Sequence, residues 1–288
     1  MLLSTKIGVF FMKRRRKNNN ESRCLFIVIL IIILIVAVIS YAVLKYSKEN
    51  TAAPVTDVHN TIAYNTISDA DTMIKDFAKS HNLQTNEWPD ELVGLLEKNP
   101  ETKDFVLNYP LKKDKDLKID LSGEKNSENV PLLLQWDERW GYNQYAGGLM
   151  GLTGCGPTCL SMVSIYLLKD DKYTPEYVAE FSEKNGYSVD GNGSSWSLIS
   201  DGGRMLGLDV IEIPLDENRI IRNLEVGNPI ICIMGPGNFT TTGHFIVMTE
   251  YVDGKIRVND PNSKSRSEKL WNLSDIKYQI RNLWVCRK

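Results

Sequence analysis

The chain has 288 residues, 42% hydrophobic and 24% charged, a balance that supports a sizeable core and excludes a disordered or collagenous protein. Five cysteines are too few for a disulfide scaffold, and a formal net charge of −2 argues against nucleic acid as a main partner. The charge is unevenly placed: residues 1–24 carry seven basic side chains against the single acid Glu21, leaving +6 on the head and −8 on the remainder.

Leu25 to Leu44 (LFIVILIIILIVAVISYAVL) is twenty residues without charge, Pro or Gly. As a helix it spans about 30 Å, the thickness of bilayer hydrocarbon, and it is too uniformly apolar for an ordinary core helix. A cleaved signal peptide is the rival reading, with Ser40 and Ala42 available near a cleavage site, although signal-peptide apolar regions are usually shorter, about 7–15 residues. The basic run Lys13–Lys17 and Arg23 precede the helix, while only Lys45 and Lys48 follow closely. The positive-inside rule then places the N-terminus in the cytoplasm and residues after 44 outside the cell membrane. Met12 stands just before the basic run and is an alternative start.

The expected organisation beyond 1–24 (basic tail) and 25–44 (transmembrane helix) is a polar stalk over 45–68, a helical extension and connector over 69–129, and a larger domain over 130–288. Ser68 or Asp69 is positioned to cap a helix whose stripe is Met73, Ile74, Phe77 and Ala78. Trp88-Pro89 opens a second, with Leu92, Leu95 and Leu96 on one face, and a third covers Lys103–Tyr109 and stops at Pro110. Residues 111–129 are charge-rich and read as an exposed connector. His59 and His81 lack ligand-type neighbours and read as surface residues.

In 130–288 the pattern predicts helices over 160–168, 177–184 and 196–206, and strands over 229–234, 244–251 and 255–259. Asp253-Gly254 between the last two strands is a strong hairpin signal. Helices first and strands later argue an α+β domain.

The chemistry centres on Thr153-Gly154-Cys155-Gly156-Pro157-Thr158-Cys159. The glycines permit a tight turn and close approach to a ligand, and Pro157 suits a first helical turn, so Cys155 is expected at a helix N-terminus. Unpaired amides and the helix dipole there favour a thiolate and can hold a developing oxyanion. A thiolate nucleophile needs a base, and His244 opens an apolar strand as the only histidine of this half. Asp260, in Asn259-Asp260-Pro261, ends the partner strand of the hairpin, which makes it a neighbour of His244 and a candidate orienter of its ring. Trp196 and Phe239, on the loops GNGSSW (191–196) and GPGNFTTT (235–242), and Gly154 are candidate substrate contacts. Cys159 and Cys232 read as packed core residues, Cys24 as membrane-boundary, and Cys286 as a thiol without an obvious partner. One histidine and no finger-like spacing argue against a metal site, and no phosphate loop or dinucleotide fingerprint calls for a cofactor.

The order Cys155, His244, Asp260 resembles that of papain-like cysteine peptidases. QWDERWG (135–141), GCGPTC (154–159), GH before an apolar strand (243–248) and NDP (259–261) together resemble the stand-alone branch of the bacteriocin-processing, double-glycine-leader peptidase family. The resemblance covers about 130–288 and implies a papain-like fold, with Cys155 as nucleophile, His244 as base and acid, and Asp260 as orienter. It also implies Gln135 as oxyanion donor, although the family's glutamine lies only a few residues before its cysteine and Gln135 lies twenty before. The implied activity is hydrolysis of a peptide or amide bond in a peptide or protein substrate. Alternatives are a cell-wall amidase or transpeptidase, which the acidic body suits poorly, and a papain-like domain that only binds peptide. The 288 residues hold no transporter or nucleotide-binding domain and the enzyme is expected on the opposite side of the membrane, so double-glycine specificity is not carried over.

Overall fold

The computed structural model describes residues 58–288, with side chains from 69 onward. The basic tail, the apolar segment 25–44 and the start of the stalk lie outside the described residues. Among the described residues, no helix is long and apolar enough to cross a membrane. The architecture below is that of the unit Ile62–Lys288.

The extension is helical as its stripes predict, with two corrections. Helix α1 runs Val58–His81, so Ser68 and Asp69 are interior residues and not its cap, and helix reaches into the segment read as stalk. Ala70, Ile74 and Ala78 are buried from it, on the predicted face. Helix α2 is Asp90–Lys98, led in by Pro89 and burying Leu92 and Leu96. Helix α3, Lys103–Lys112, passes through Pro110 instead of ending before it. The proline removes the N–H that would bond the Val106 carbonyl, and the Trp88 indole N–H donates to that carbonyl at 2.7 Å instead. A partner from outside the helix thus removes part of the penalty that would have stopped it.

Residues 111–129 are less exposed than their charge suggests. Leu121 is fully buried in the main core, one residue before a single helical turn, Ser122–Lys125.

The larger domain has a central helix and a six-stranded sheet. Helix α4, Cys155–Leu168, is buried on every face from Gly156 to Ile165, as an apolar helix at the centre of a domain must be. Helix α5, Pro175–Lys184, begins on the Thr174 cap, whose hydroxyl accepts from Tyr177 N–H. The segment 196–206 is a π-turn, Leu198–Gly202, followed by one α-turn, Gly203–Met205, and not one regular helix.

The strands are β1 Asp209–Glu212, β2 Ile230–Met234, β3 His244–Val252, β4 Lys255–Asn259, β5 Leu270–Trp271 and β6 Ile280–Arg287. They pair antiparallel in the order β1-β6-β2-β3-β4-β5. Alternate residues feed two cores: Ile231, Ile233, Phe245 and Val247 join α4, and Ile230, Cys232, Ile246 and Met248 face α6, Glu217–Glu225. Both faces are covered, which is why β2 reads as an unbroken apolar run. Asp253 and Gly254 turn the β3–β4 hairpin with φ of 50° and 79°, the left-handed pair that such a turn requires.

The extension shares a third core with this domain, in which Leu92, Leu96 and Phe105 pack with Trp136 and Tyr142. Phe105 is 2% exposed and stacks on Tyr142 at 4.6 Å between ring centroids. Phe105→Ala is therefore expected to cost about 3–5 kcal/mol in urea unfolding. A loss under about 1 kcal/mol would mean that the extension is not part of the folded core.

Candidate active site

Cys155 begins α4 because the two residues beside it leave room that side chains would fill. A Cβ on Gly154, the N-cap, would lie 2.5 Å from the Met150 carbonyl oxygen, and one on Gly156 would lie 2.4 Å from Ser194 Oγ. The glycines let the preceding turn and the Ser194 strand close on the helix start. Gly154 is thus a packing residue at the cap, while Leu152, Thr153 and Cys155 line the adjoining cleft.

That cleft, of about 550 Å³, brings Cys155 and His244 together. β3 pairs with β4, so the first residue of one strand lies beside the residue following the other. His244 Nε2 meets Asp260 Oδ1 at 2.7 Å, and the same ring is hydrogen-bonded to the Cys155 side chain. With Nε2 committed to the carboxylate, Nδ1 is the nitrogen left for the thiol. His244 is 7% exposed and Asp260 fully buried.

Burial, charge and hydrogen bonding compete at all three groups. At Cys155 burial disfavours the thiolate. It is outweighed by the His244 hydrogen bond and charge and by the backbone N–H groups of Phe245 and Gly156, and the thiol is held below its ordinary range. At His244 burial opposes the cation, but the Asp260 carboxylate and then the Cys155 thiolate prevail, raising the imidazole to about 10. Asp260 is held below the usual carboxylate range, against its own burial, by His244 and by Arg266. Cysteine and histidine thus shift each other reciprocally towards the thiolate–imidazolium state.

Arg266 is the member that the sequence reading missed. Its Nε donates to Asp260 Oδ2 at 2.5 Å, while Asn262 N–H donates to Oδ1 at 2.8 Å. Nothing in the polar run NSKSRSEK sets it apart from a solvated cation, and only the turn Lys264–Glu268 brings it back onto Asp260. That turn is itself held from the extension. Glu101 accepts from Lys264 N–H at 2.6 Å, Ser263 Oγ at 2.7 Å and Ser265 Oγ at 2.6 Å, and Asn99 donates to the Asn262 carbonyl at 2.7 Å.

The remaining candidates divide. Trp196 lines the cleft, 47% exposed, with its ring edge-on to Trp284 at 5.9 Å. Phe239 is a correction: it is 4% exposed and packs on Trp271 at 4.8 Å, because its loop folds back into the second core, and Thr242 and Gly243 reach the cleft instead. Gln135 is buried outside the cleft lining. Its Nε2 donates to the Gly151 carbonyl at 2.9 Å and its backbone N–H to the Pro261 carbonyl at 2.8 Å. It ties the segment entering α4 to the Asp260 loop, and one of the N–H groups sought for an oxyanion is committed there. Trp136 and Trp140 are buried packing residues, their indole N–H groups on the Asn262 and Leu134 carbonyls. Cys159, Cys232 and Cys286 are buried free thiols; burial raises all three, with the Cys155 charge adding at Cys159 and the Cys286 charge at Cys232. Among the described residues no cluster of His, Cys, Asp and Glu is arranged to hold a metal ion.

Two solved structures to which the chain is similar are peptidase domains or peptidases. One is the peptidase domain of Streptococcus ComA, a bi-functional ABC transporter involved in a quorum-sensing pathway, at 16% identity over 55% of this chain and 99% of that one, with a TM-score of 0.39. The other is a C39-like peptidase from Bacillus anthracis, at 15% identity over 60% of this chain and 98% of that one, with a TM-score of 0.37. No curated protein matches the chain. The Peptidase_C39-like family model matches residues 127–286, more than half of the chain and all of the cleft chemistry, with an α+β papain-like fold: the chain belongs to the Peptidase_C39-like family.

Proposed function

We propose that this protein is a membrane-anchored thiol hydrolase that cleaves peptide bonds outside the membrane. The observation that carries the reading is the unbroken thiol–imidazole–carboxylate chain, Cys155 to His244 to Asp260, opening into a cleft. In this reading the Cys155 thiolate attacks the scissile carbonyl, and the oxyanion forms against backbone N–H groups at the start of α4. The His244 imidazolium gives its proton to the departing amine, and the acyl-thioester is then hydrolysed by a water that His244 deprotonates. Asp260 keeps the ring oriented and its charge compensated, and Arg266 holds Asp260.

A polypeptide substrate is favoured over a small amide by a second groove, of about 790 Å³, which meets the cleft at Leu152, Thr153 and Gly191. Anchoring rests on the uncharged segment 25–44 behind its basic run, with residues beyond 44 outside.

One experiment addresses both parts. A membrane-impermeant maleimide or iodoacetamide derivative added to intact cells is expected to modify Cys155 alone among the four described cysteines, since burial keeps the other three protonated and inaccessible. In detergent the modification rate should reach half its plateau below the ordinary thiol value of about 8.5. Modified protein should lose cleavage of a peptide library. A Cys155→Ala protein that still cleaves would end the peptidase reading, and labelling only after cell lysis would end the topology.

A further inference from the structure

Strand β6 enters the sheet irregularly. Ile280 pairs with Met234 and Asn282 with Ile233, so Arg281 is an extra residue, a β-bulge at the end of the strand nearest the cleft. Bulges re-aim side chains and are common beside active sites. Here the guanidinium is turned over Gly235, where a Cβ would lie 2.3 Å from Arg281 Nε and 2.7 Å from Cζ. Gly235, just beyond β2, is the one residue type that leaves that seat open, and its N–H is fixed to the Gln279 carbonyl at 2.6 Å. So placed, Arg281 lines the same cleft as Cys155 and His244. It is exposed, and among the described residues it has no hydrogen bond or ion pair. The cleft lining contains no Asp or Glu to compensate it. A forked cation, aimed by a bulge, seated on a glycine and left without a carboxylate partner in the cleft lining, matches the bidentate geometry of a substrate carboxylate.

We propose that Arg281 is a specificity-determining residue that binds a carboxylate of the substrate, so that the enzyme prefers peptides with an acidic side chain or a free C-terminus close to the scissile bond. This rests on the peptidase reading above. Both sources of the carboxylate present the same fork to the guanidinium, and they differ in what removes them. Amidation of the C-terminus abolishes one, and Glu→Gln in the peptide abolishes the other.

The test uses the full chain in detergent and a peptide library in which each position carries Glu, Gln or Lys and each peptide is made with a free and an amidated C-terminus. Wild type is expected to cleave carboxylate-bearing peptides about 10- to 100-fold more efficiently, in kcat/KM, than their amide counterparts at one position. Arg281→Gln should collapse that ratio towards one, and Arg281→Glu should turn the preference towards Lys at the same position. Gly235→Ala, which crowds the guanidinium without removing it, should lower the ratio as well. The same ranking is expected in calorimetric binding of uncleaved peptides to Cys155→Ala, where turnover plays no part. Cleavage by wild type without acidic preference, or a preference that Arg281→Gln leaves intact, overturns the inference and leaves the peptidase reading standing. No cleavage of any peptide, with no binding to Cys155→Ala, overturns both.

Discussion

Replacing His244 by Ala is expected to lower kcat/KM by about 10⁴- to 10⁶-fold, as loss of the base does in other nucleophile–histidine enzymes. The effect has two parts that can be read separately. The leaving amine loses its proton donor, and Cys155 loses the hydrogen bond and positive charge of His244 while remaining buried. The thiol should therefore titrate above its ordinary range in the variant, and alkylation at pH 7 should slow sharply. In wild type, activity should rise with pH as Cys155 ionises, below its ordinary range, and fall again as His244 deprotonates near 10. Activity within about tenfold of wild type in His244→Ala would exclude the proposed role.

Asp260→Ala is expected to be costly in both activity and stability. The fully buried carboxylate sits between two cations, His244 at 2.7 Å and Arg266 at 2.5 Å. Removing it leaves them facing each other without an anion, at a cost of about 3–5 kcal/mol, and should lower kcat/KM about 10³- to 10⁴-fold through misorientation of the ring. Adding Arg266→Met should return part of the stability, about 1 kcal/mol or more, and none of the activity. The pH dependence follows from the signs. Asp260 is depressed in the fold, so its contribution is present above about 4 and is lost as pH falls through its lower folded value. His244 is raised, so its contribution is complete below about 6.5 and is lost as pH rises through about 10. Equal unfolding midpoints for wild type and Asp260→Ala in urea at pH 7 would show that the carboxylate is not holding the two cations.

What the sequence made legible was local. Gly-Cys-Gly-Pro encodes a helix start by sterics alone, and Asp253-Gly254 encodes a hairpin that sets His244 beside Asp260. The α+β order followed from counting periodicities. What it concealed depended on distant partners. Pro110 looked like a stop because Trp88, which rescues the freed carbonyl, lies elsewhere in the sequence. Phe239 looked like a cleft residue because proximity to His244 in sequence says nothing of which way a loop folds. Gln135 carried a role suggested by resemblance, whereas its hydrogen-bond partners in the fold are the Gly151 and Pro261 backbones. Strands β1 and β6 and helix α6 were too short or too interrupted by charge to register. Arg266 lies in a polar run and Arg281 in a mostly apolar strand, and only a turn and a bulge reveal where their guanidinium groups go.

Glu101 gives the module a different boundary from the one its family suggests. The family match begins at residue 127, so it contains the nucleophile, the imidazole and the carboxylate but not the anion that pins the loop carrying Arg266. A fragment cut at 127 would inherit every recognisable motif and lose the clamp that keeps them in register. The portion that matches the family and the portion that holds the Asp260 loop in place are therefore not the same piece of chain, and a fragment meant to keep the cleft intact would need residues 99–101 as well.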